Sequence, residues 1–221
     1  MNGSGETGSY EKQIIISADG KKLKAIMGIP PGSKGLVIFA HGSGSSRLSP
    51  RNNYVAHILQ ESGLATLLAD LLEEAEASDR RKVFDIDLLA DRLLSIVNWT
   101  SGNTETRSLI SGYFGASTGA GAALQAAARE PGYVKAVVSR GGRPDLAMTY
   151  LPSVKAPTLF IVGGYDEPVI SMNEAAYAEL NCEKKMFIIP GATHLFEEPG
   201  ALEKAAELAS DWFAHYLADN T

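Results

Sequence analysis

Short runs of apolar residues alternate along the chain with longer stretches in which apolar positions recur at helical spacing. Runs of four to six apolar residues are typical of buried strands, and the stretches between them are typical of helices that pack one face against a sheet. This alternation predicts an α/β fold with a mainly parallel central sheet and helices on both faces. The predicted strands of this series are residues 35–40, 64–69, 109–114, 136–139, 158–162 and 185–189.

The beginning of the chain departs from this alternation. Residues 13–18 and 23–29 are both strand-like, and Asp19-Gly20 between them is a strong two-residue hairpin sequence. The sheet is therefore expected to begin with an antiparallel hairpin. The polar segment 73–82 is interpreted as a solvated loop or a short helix. Helices are predicted at residues 51–62, 85–99, 120–128, 171–180 and 202–217.

The sequence Gly115-Ala116-Ser117-Thr118-Gly119 lies between a predicted strand and a predicted helix. A Gly-X-Ser-X-Gly sequence in that position is typical of a sharp turn that exposes a serine hydroxyl as a nucleophile. Glycines are expected where a side chain would collide with the neighbouring strand or helix. Because glycine-rich turns also serve packing and nucleotide binding, Ser117 needs suitable partners elsewhere in the chain.

Two candidate partners for Ser117 follow predicted strands. Asp166 comes after the strand at 158–162, and His194 comes after the strand at 185–189. The carboxyl ends of parallel strands meet at one edge of a sheet, so side chains distant in sequence are expected to converge there. A histidine can accept the proton of an attacking serine, and an aspartate can orient the imidazole. The sequence thus predicts a catalytic triad of Ser117, His194 and Asp166.

Other residues compete for the roles of acid and base. Asp166 lies in a turn-forming sequence, and Asp145, which follows the preceding strand, is the alternative acid. His57 and His215 lie in predicted helices and are interpreted as surface or packing residues. His41 is interpreted as a structural residue that orients its loop.

A loop after the third predicted strand supplies a further element of the site. The apolar run 36–40 leads directly into His41-Gly42-Ser43. In such a turn a backbone N–H group can face a bound carbonyl oxygen. The backbone N–H groups of Ser43 and Thr118 are therefore predicted to form an oxyanion hole with two donors.

These features, in this order, resemble the α/β-hydrolase superfamily and, within it, the lidless dienelactone-hydrolase-like group. The matching positions are His41-Gly42-Ser43, Gly115 to Gly119, Asp166 and His194. The resemblance extends from the first strands to the last helix and implies an α/β-hydrolase fold. Dienelactone hydrolases proper carry a cysteine where this chain has Ser117, a departure that favours general carboxylester hydrolysis over the group's namesake reaction. The single cysteine, Cys182, is far from every motif.

The connection after the strand at 136–139 bears on the substrate. In lipases and many related hydrolases a lid or cap is inserted there, whereas residues 141–156 suffice only for a loop and a turn or two of helix. An open site buries a long alkyl chain poorly, which forgoes about 0.8 kcal/mol per methylene. We therefore expect small or short-chain esters or lactones as substrates, hydrolysed through an acyl-enzyme without a metal or organic cofactor.

Composition supports a single domain over residues 10–221, preceded by a flexible Gly-rich tail at 1–9. The net charge of −6 argues against nucleic acid or an anionic membrane as a partner. One cysteine cannot form an internal disulfide, and the sequence shows no signal peptide or membrane span, so a cytoplasmic location is expected. The sequence does not predict the oligomeric state.

Three alternatives to an esterase compete with this interpretation. Residues 112–121 also resemble the glycine-rich phosphate loop of short-chain dehydrogenases, but such a loop should follow the first strand of the fold. A non-catalytic binding protein of the same fold, or a peptidase or acyltransferase with the same triad, stays as an alternative. Arg47 and Arg143 lie near the predicted mouth of the site. They are interpreted as solvated, with binding of a substrate carboxylate as the alternative.

Overall fold

The computed structural model describes residues 11–218, which contain an eight-stranded sheet with spatial order β1-β2-β4-β3-β5-β6-β7-β8. The strands are Glu11–Ala18 (β1), Lys21–Gly28 (β2), Gly35–Ala40 (β3), Ala65–Ala69 (β4), Ile110–Ala116 (β5), Val137–Arg140 (β6), Thr158–Gly163 (β7) and Lys184–Ile189 (β8). β2 pairs antiparallel with β1 and with β4, and the other neighbouring strands are parallel. The predicted antiparallel hairpin and mainly parallel sheet are confirmed. The predicted tail at 1–9 lies outside the described residues.

Helices cover both faces of the sheet, as the sequence predicts. They are Pro50–Glu61 (α1), Glu74–Ala77 (α2), Arg80–Val83 (α3), Ile86–Gly102 (α4), Thr118–Arg129 (α5), Glu167–Glu179 (α6) and Ala201–Tyr216 (α7). On one face α1 and α7 bury side chains such as Leu59 and Phe213, and on the other α4 and α5 bury Leu93 and Leu124. Because β3 and β4 are covered from both sides, every residue in them is buried, and Thr66 is the one polar residue in the two strands. Within residues 11–218, none of these helices combines the length and the apolar character that crossing a bilayer would need.

Two helical regions differ in detail from the prediction. α6 begins at Glu167 instead of residue 171, because Pro168 is well suited to the first turn of a helix and extends it back to Asp166. Between β6 and β7 the chain forms the 3-10 segment Pro144–Ser153. This short connection carries no lid domain, in agreement with the sequence, and the carboxyl edge of the sheet is left open.

The polar segment after β4 is more ordered than a solvated loop. Within α2 the side chain of Glu76 is buried, and its carboxylate lies 3.2 Å from Arg92, 3.2 Å from Lys21 and 3.4 Å from Lys82. Burial by itself raises the pKa of this carboxyl, but the backbone N–H of Glu73 and the three cations outweigh it and lower the pKa to about 2. Ion pairs therefore tie α2 to both β2 and α4.

Candidate active site

Ser117 lies in a strained turn between β5 and α5. Its backbone has φ +51° and ψ −125°, a conformation that residues with a side chain rarely adopt. A Cβ atom on Gly115 would lie 2.4 Å from Ala120 Cα, and one on Gly119 would lie 2.1 Å from the Ala40 carbonyl oxygen. Both glycines are thus required by close approach of backbone, which is the reason predicted from the sequence.

The structure brings Asp166 and His194 together. His194 Nδ1 lies 2.7 Å from Asp166 Oδ2, and the two side chains are 38% and 13% exposed. Because an ionised carboxylate only accepts hydrogen bonds, Nδ1 is the donor and Nε2 is left with a lone pair that can accept a proton. The alternative acid, Asp145, instead accepts two hydrogen bonds of 2.8 Å from Arg143.

The end of β6 lies beside both Ser117 and His194. The Ser117 N–H donates to the carbonyl oxygen of Arg140 at 3.4 Å. A Cβ atom on the next residue, Gly141, would lie 3.6 Å from His194 Nδ1. Among residues 11–218 the Ser117 hydroxyl has no hydrogen-bond partner, so its contact with the imidazole is not formed in this structure. In hydrolases without substrate such contacts are often long and tighten only in the reacting complex.

The loop after β3 lies against the turn at Ser117. A Cβ atom on Gly42 would lie 3.0 Å from Ser117 Cβ and 3.7 Å from its hydroxyl oxygen. The N–H of Ser43, one of the two predicted oxyanion donors, donates to the hydroxyl oxygen of Thr118 at 2.8 Å. Because this single N–H is directed at the Thr118 hydroxyl, it is not free in this structure to serve as the oxyanion donor that the sequence predicts, and the sequence did not reveal this contact.

His41 holds the loop through both ring nitrogens. Its Nδ1 donates to the Gly42 carbonyl oxygen at 3.1 Å, and its Nε2 accepts the N–H of Leu71 at 3.1 Å. Loss of hydration on burial lowers the pKa of His41, which favours the neutral ring that this pair of hydrogen bonds requires. This agrees with the structural role inferred for His41. His57 and His215 both lie on helices, where His57 is 3.2 Å from Glu61.

Comparison with known proteins identifies the family. Residues 23–218 match the model of the dienelactone hydrolase family. The chain belongs to the dienelactone hydrolase family. The crystal structure of a dienelactone hydrolase from Anabaena variabilis matches this family member with a TM-score of 0.92 and 58% sequence identity, over 95% of this chain and 99% of that one. The chain accordingly has the α/β-hydrolase fold.

More distant and longer relatives add two facts. Est1E from Butyrivibrio proteoclasticus shares the fold of this dienelactone hydrolase family member, with a TM-score of 0.80 at 19% identity over 94% of this chain and 99% of that one. Two curated proteins from strains of Mycobacterium tuberculosis, both provisionally named phosphoribosyl transferase, are 52% identical over 207 residues. That match covers 94% of this chain and 47% of each relative, so the chain spans about half their length.

Each of the two arginines predicted near the mouth of the site is paired with an aspartate. Arg47 lies 2.6 Å from Asp70, and Arg143 makes its two hydrogen bonds to Asp145. The guanidinium group of Arg47 is therefore neutralised by the segment after β4, and that of Arg143 by its own loop. These ion pairs make a substrate carboxylate a less favourable ligand for either arginine. They also differ from the solvated side chains that the sequence suggested.

Arg140 is a buried residue near the site that the sequence analysis did not single out. It is 8% exposed, and its Nη2 donates to Asn52 at the start of α1 at 3.3 Å. Its guanidinium carbon lies 5.9 Å from the ring centre of Phe114 and 5.7 Å from that of Phe196. Its Nε and Nη1 have no partner among the residues that the structure describes, and burial lowers its pKa to about 10. Arg140 thus contacts both α1, which follows the loop after β3, and the loop that carries His194.

Proposed function

We propose that this chain is a serine esterase that cleaves small or short-chain carboxylic esters or lactones. The observation that carries the proposal is the 2.7 Å contact of His194 with Asp166, on the same edge of the sheet as the strained turn at Ser117. A family of hydrolases with a nucleophile at this turn supports the same conclusion. The open connection between β6 and β7 supports small substrates.

In the proposed reaction Ser117 Oγ attacks the ester carbonyl carbon and passes its proton to His194 Nε2. Asp166 holds the imidazole in the useful tautomer and stabilises the imidazolium that forms. The negative oxygen of the tetrahedral intermediate accepts a hydrogen bond from the Thr118 N–H and a second from the Ser43 N–H, which must turn from the Thr118 hydroxyl to reach it. Each such donor typically contributes about 3 to 4 kcal/mol at the transition state.

The intermediate then collapses, and the carbon–oxygen bond to the alcohol breaks as His194 returns the proton to the leaving oxygen. A water molecule attacks the acyl-serine, again giving its proton to His194. The second collapse releases the carboxylic acid and restores the Ser117 hydroxyl. The sequence-based expectation of a reaction without metal or organic cofactor fits this cycle, since the proton that leaves Ser117 with the alcohol is replaced by one from water and no electrons are exchanged.

The name of the Mycobacterium relatives does not favour a second reaction for this chain. Because the match spans 47% of each relative, the name does not say which half of those proteins would carry a transferase. A peptidase or acyltransferase would use the same three side chains and differ only in the group that leaves or enters. The open site favours the ester, whose alcohol needs no extended binding cleft.

Hydrolysis of p-nitrophenyl esters from acetate to palmitate tests the proposal. We expect turnover of acetate and butyrate that is lost in Ser117→Ala, with a strong fall beyond about eight carbons because the site has no lid to cover a longer chain. Preferential cleavage of palmitate would contradict the substrate class. Equal turnover by Ser117→Ala would contradict the nucleophile.

A further inference from the structure

A cleft of about 550 Å³ lies beside the oxyanion loop. One wall is the loop 41–47 after β3, the second is the segment 70–77 after β4, and the third is the beginning of β2 at Lys22 and Lys24. A volume of about 300 to 1,000 Å³ is usual for sites that hold small molecules. Ser117 and His194 do not line the cleft themselves.

The order of the strands places this cleft on one side of the nucleophile. Ser117 follows β5, which lies between β3 and β6 in the sheet. The cleft lies over the carboxyl ends of β3 and β4 and the beginning of β2. Asp166 and His194 follow β7 and β8, on the other side of β5. Gly42 belongs to the cleft wall, and a Cβ atom added to it would lie 3.7 Å from the Ser117 hydroxyl oxygen, so this wall of the cleft lies next to the turn at Ser117.

Proton transfer then decides which part of an ester faces which side. Under the proposed function, His194 must reach the leaving oxygen, so the alcohol lies towards β7 and β8. The oxyanion faces the N–H groups of Ser43 and Thr118. The remaining substituent of the tetrahedral carbon is the acyl chain, and it points towards β3 and β4, where the cleft lies.

The interior of the cleft is suited to an apolar group. Its inner wall includes Leu72, Val83 and Leu89, and Ala77 of α2 lies at its side. The acidic side chains along it are largely compensated within the protein. Asp70 binds Arg47, Glu73 accepts the backbone N–H of Lys22 and the ammonium of Lys21, and Glu74 lies 3.9 Å from Lys24.

We propose that this cleft is the acyl-binding site and that it selects uncharged acyl groups with an apolar body of about six to eight carbons, aliphatic or aromatic. The inference rests on the proposed esterase function and names the acyl part of its substrate. Each methylene fully buried there would raise kcat/KM by about fourfold. A chain longer than the cleft would not be accommodated, in keeping with the fall expected beyond about eight carbons.

Bulky substitutions in the cleft provide the test. The ratio of kcat/KM for p-nitrophenyl hexanoate to that for the acetate is measured in the original protein, Ala77→Trp and Val83→Trp. A third variant, Asn98→Trp, places the same side chain on an exposed position of α4 outside the cleft. Ala77 is exposed, so its variant is expected to fold even if the one at the half-buried Val83 does not.

The ratio of kcat/KM for the hexanoate to that for the acetate is expected to be at least about five in the original protein and in Asn98→Trp. It is expected to be about tenfold lower in each cleft variant that folds. If a folded cleft variant keeps the ratio of the original protein while turnover still depends on Ser117, the proposal of an acyl-binding cleft is wrong and the esterase proposal stands. A ratio of one or below in the original protein would do the same. Absence of any turnover dependent on Ser117 would overturn the esterase proposal and this inference with it.

Discussion

The hydroxyl oxygen of Thr118 accepts the backbone N–H of Ser43 at 2.8 Å, across 75 positions of sequence. The contact joins the residue after Ser117 to the loop after β3 and holds that loop beside the proposed nucleophile. The Ser43 N–H must leave this hydroxyl before it can bind the oxyanion, so the Thr118 side chain both positions the loop and competes for its donor.

We predict that Thr118→Val lowers kcat by about tenfold with little change in KM, because the loop after β3 loses the hydrogen bond that holds it beside Ser117. Thr118→Ser keeps the hydroxyl and should retain most of the rate. The measurement is steady-state hydrolysis of p-nitrophenyl acetate by both variants. If the valine variant is as fast as the original protein, the hydroxyl does not order the oxyanion loop.

Replacement of the proposed acid is expected to slow hydrolysis without unfolding the protein. Asp166→Asn leaves His194 with the wrong tautomer, an effect on the order of ten-thousand-fold in the best studied triad. Asp145→Asn is the matched control, because its carboxylate binds Arg143 and not the imidazole. Comparison of kcat for the two variants checks the assignment. A large loss of kcat in Asp145→Asn, with little loss in Asp166→Asn, would assign the role of the acid to Asp145.

Glu76 is expected to make stability depend on pH in the acid range. Its pKa falls from the ordinary value of 4.5 to about 2 on folding, so its contribution is complete above about pH 5 and is lost as the pH falls towards 2. Glu76→Gln should reduce the free energy of unfolding at pH 7 by about 2 to 3 kcal/mol.

Urea unfolding of the original protein and Glu76→Gln at pH 7 and pH 3 measures this effect. The difference between them should shrink at pH 3, where the carboxyl of the unfolded chain is protonated. Glu174→Gln, at an exposed position of α6, serves as the control and should change stability little. If the two proteins differ in free energy of unfolding by the same amount at both pH values, the charge of Glu76 does not contribute to stability as proposed.

Arg140 leads to the opposite expectation for stability. Two of its nitrogens are buried without partners, which costs free energy that an apolar side chain would not. Arg140→Met should therefore have a free energy of unfolding within about 1 kcal/mol of the original value, or above it. Thermal or urea unfolding checks this. A loss of more than about 2 kcal/mol would mean that the contacts with Asn52 and the aromatic rings outweigh the cost of burying the charge.

The parts of the site that follow from strand order were predictable from sequence. Ser117, Asp166 and His194 each follow an apolar run, and parallel strands bring such positions to one edge. The glycines at 115 and 119 were predictable for a similar reason, because a sharp turn between strand and helix leaves no room for a side chain.

Contacts that depend on side-chain packing were not predictable. Glu76 lies in a run of charged residues typical of a solvated segment, and its burial depends on Arg92, which looks like an ordinary surface position of α4. The hydrogen bond between Ser43 and Thr118 requires the loop after β3 to fold over the nucleophile turn. Arg140 ends an apolar strand, a position where an exposed side chain is the usual expectation.

Formation of a covalent adduct on Ser117 tests the central claim most directly. The protein and its Ser117→Ala variant are incubated with a fluorophosphonate probe, and the mass of the intact protein is measured, followed by peptide mapping of the modified residue. The account predicts one adduct per chain, located at Ser117, and none in the variant. An unmodified original protein, or an equal adduct in Ser117→Ala, would contradict it.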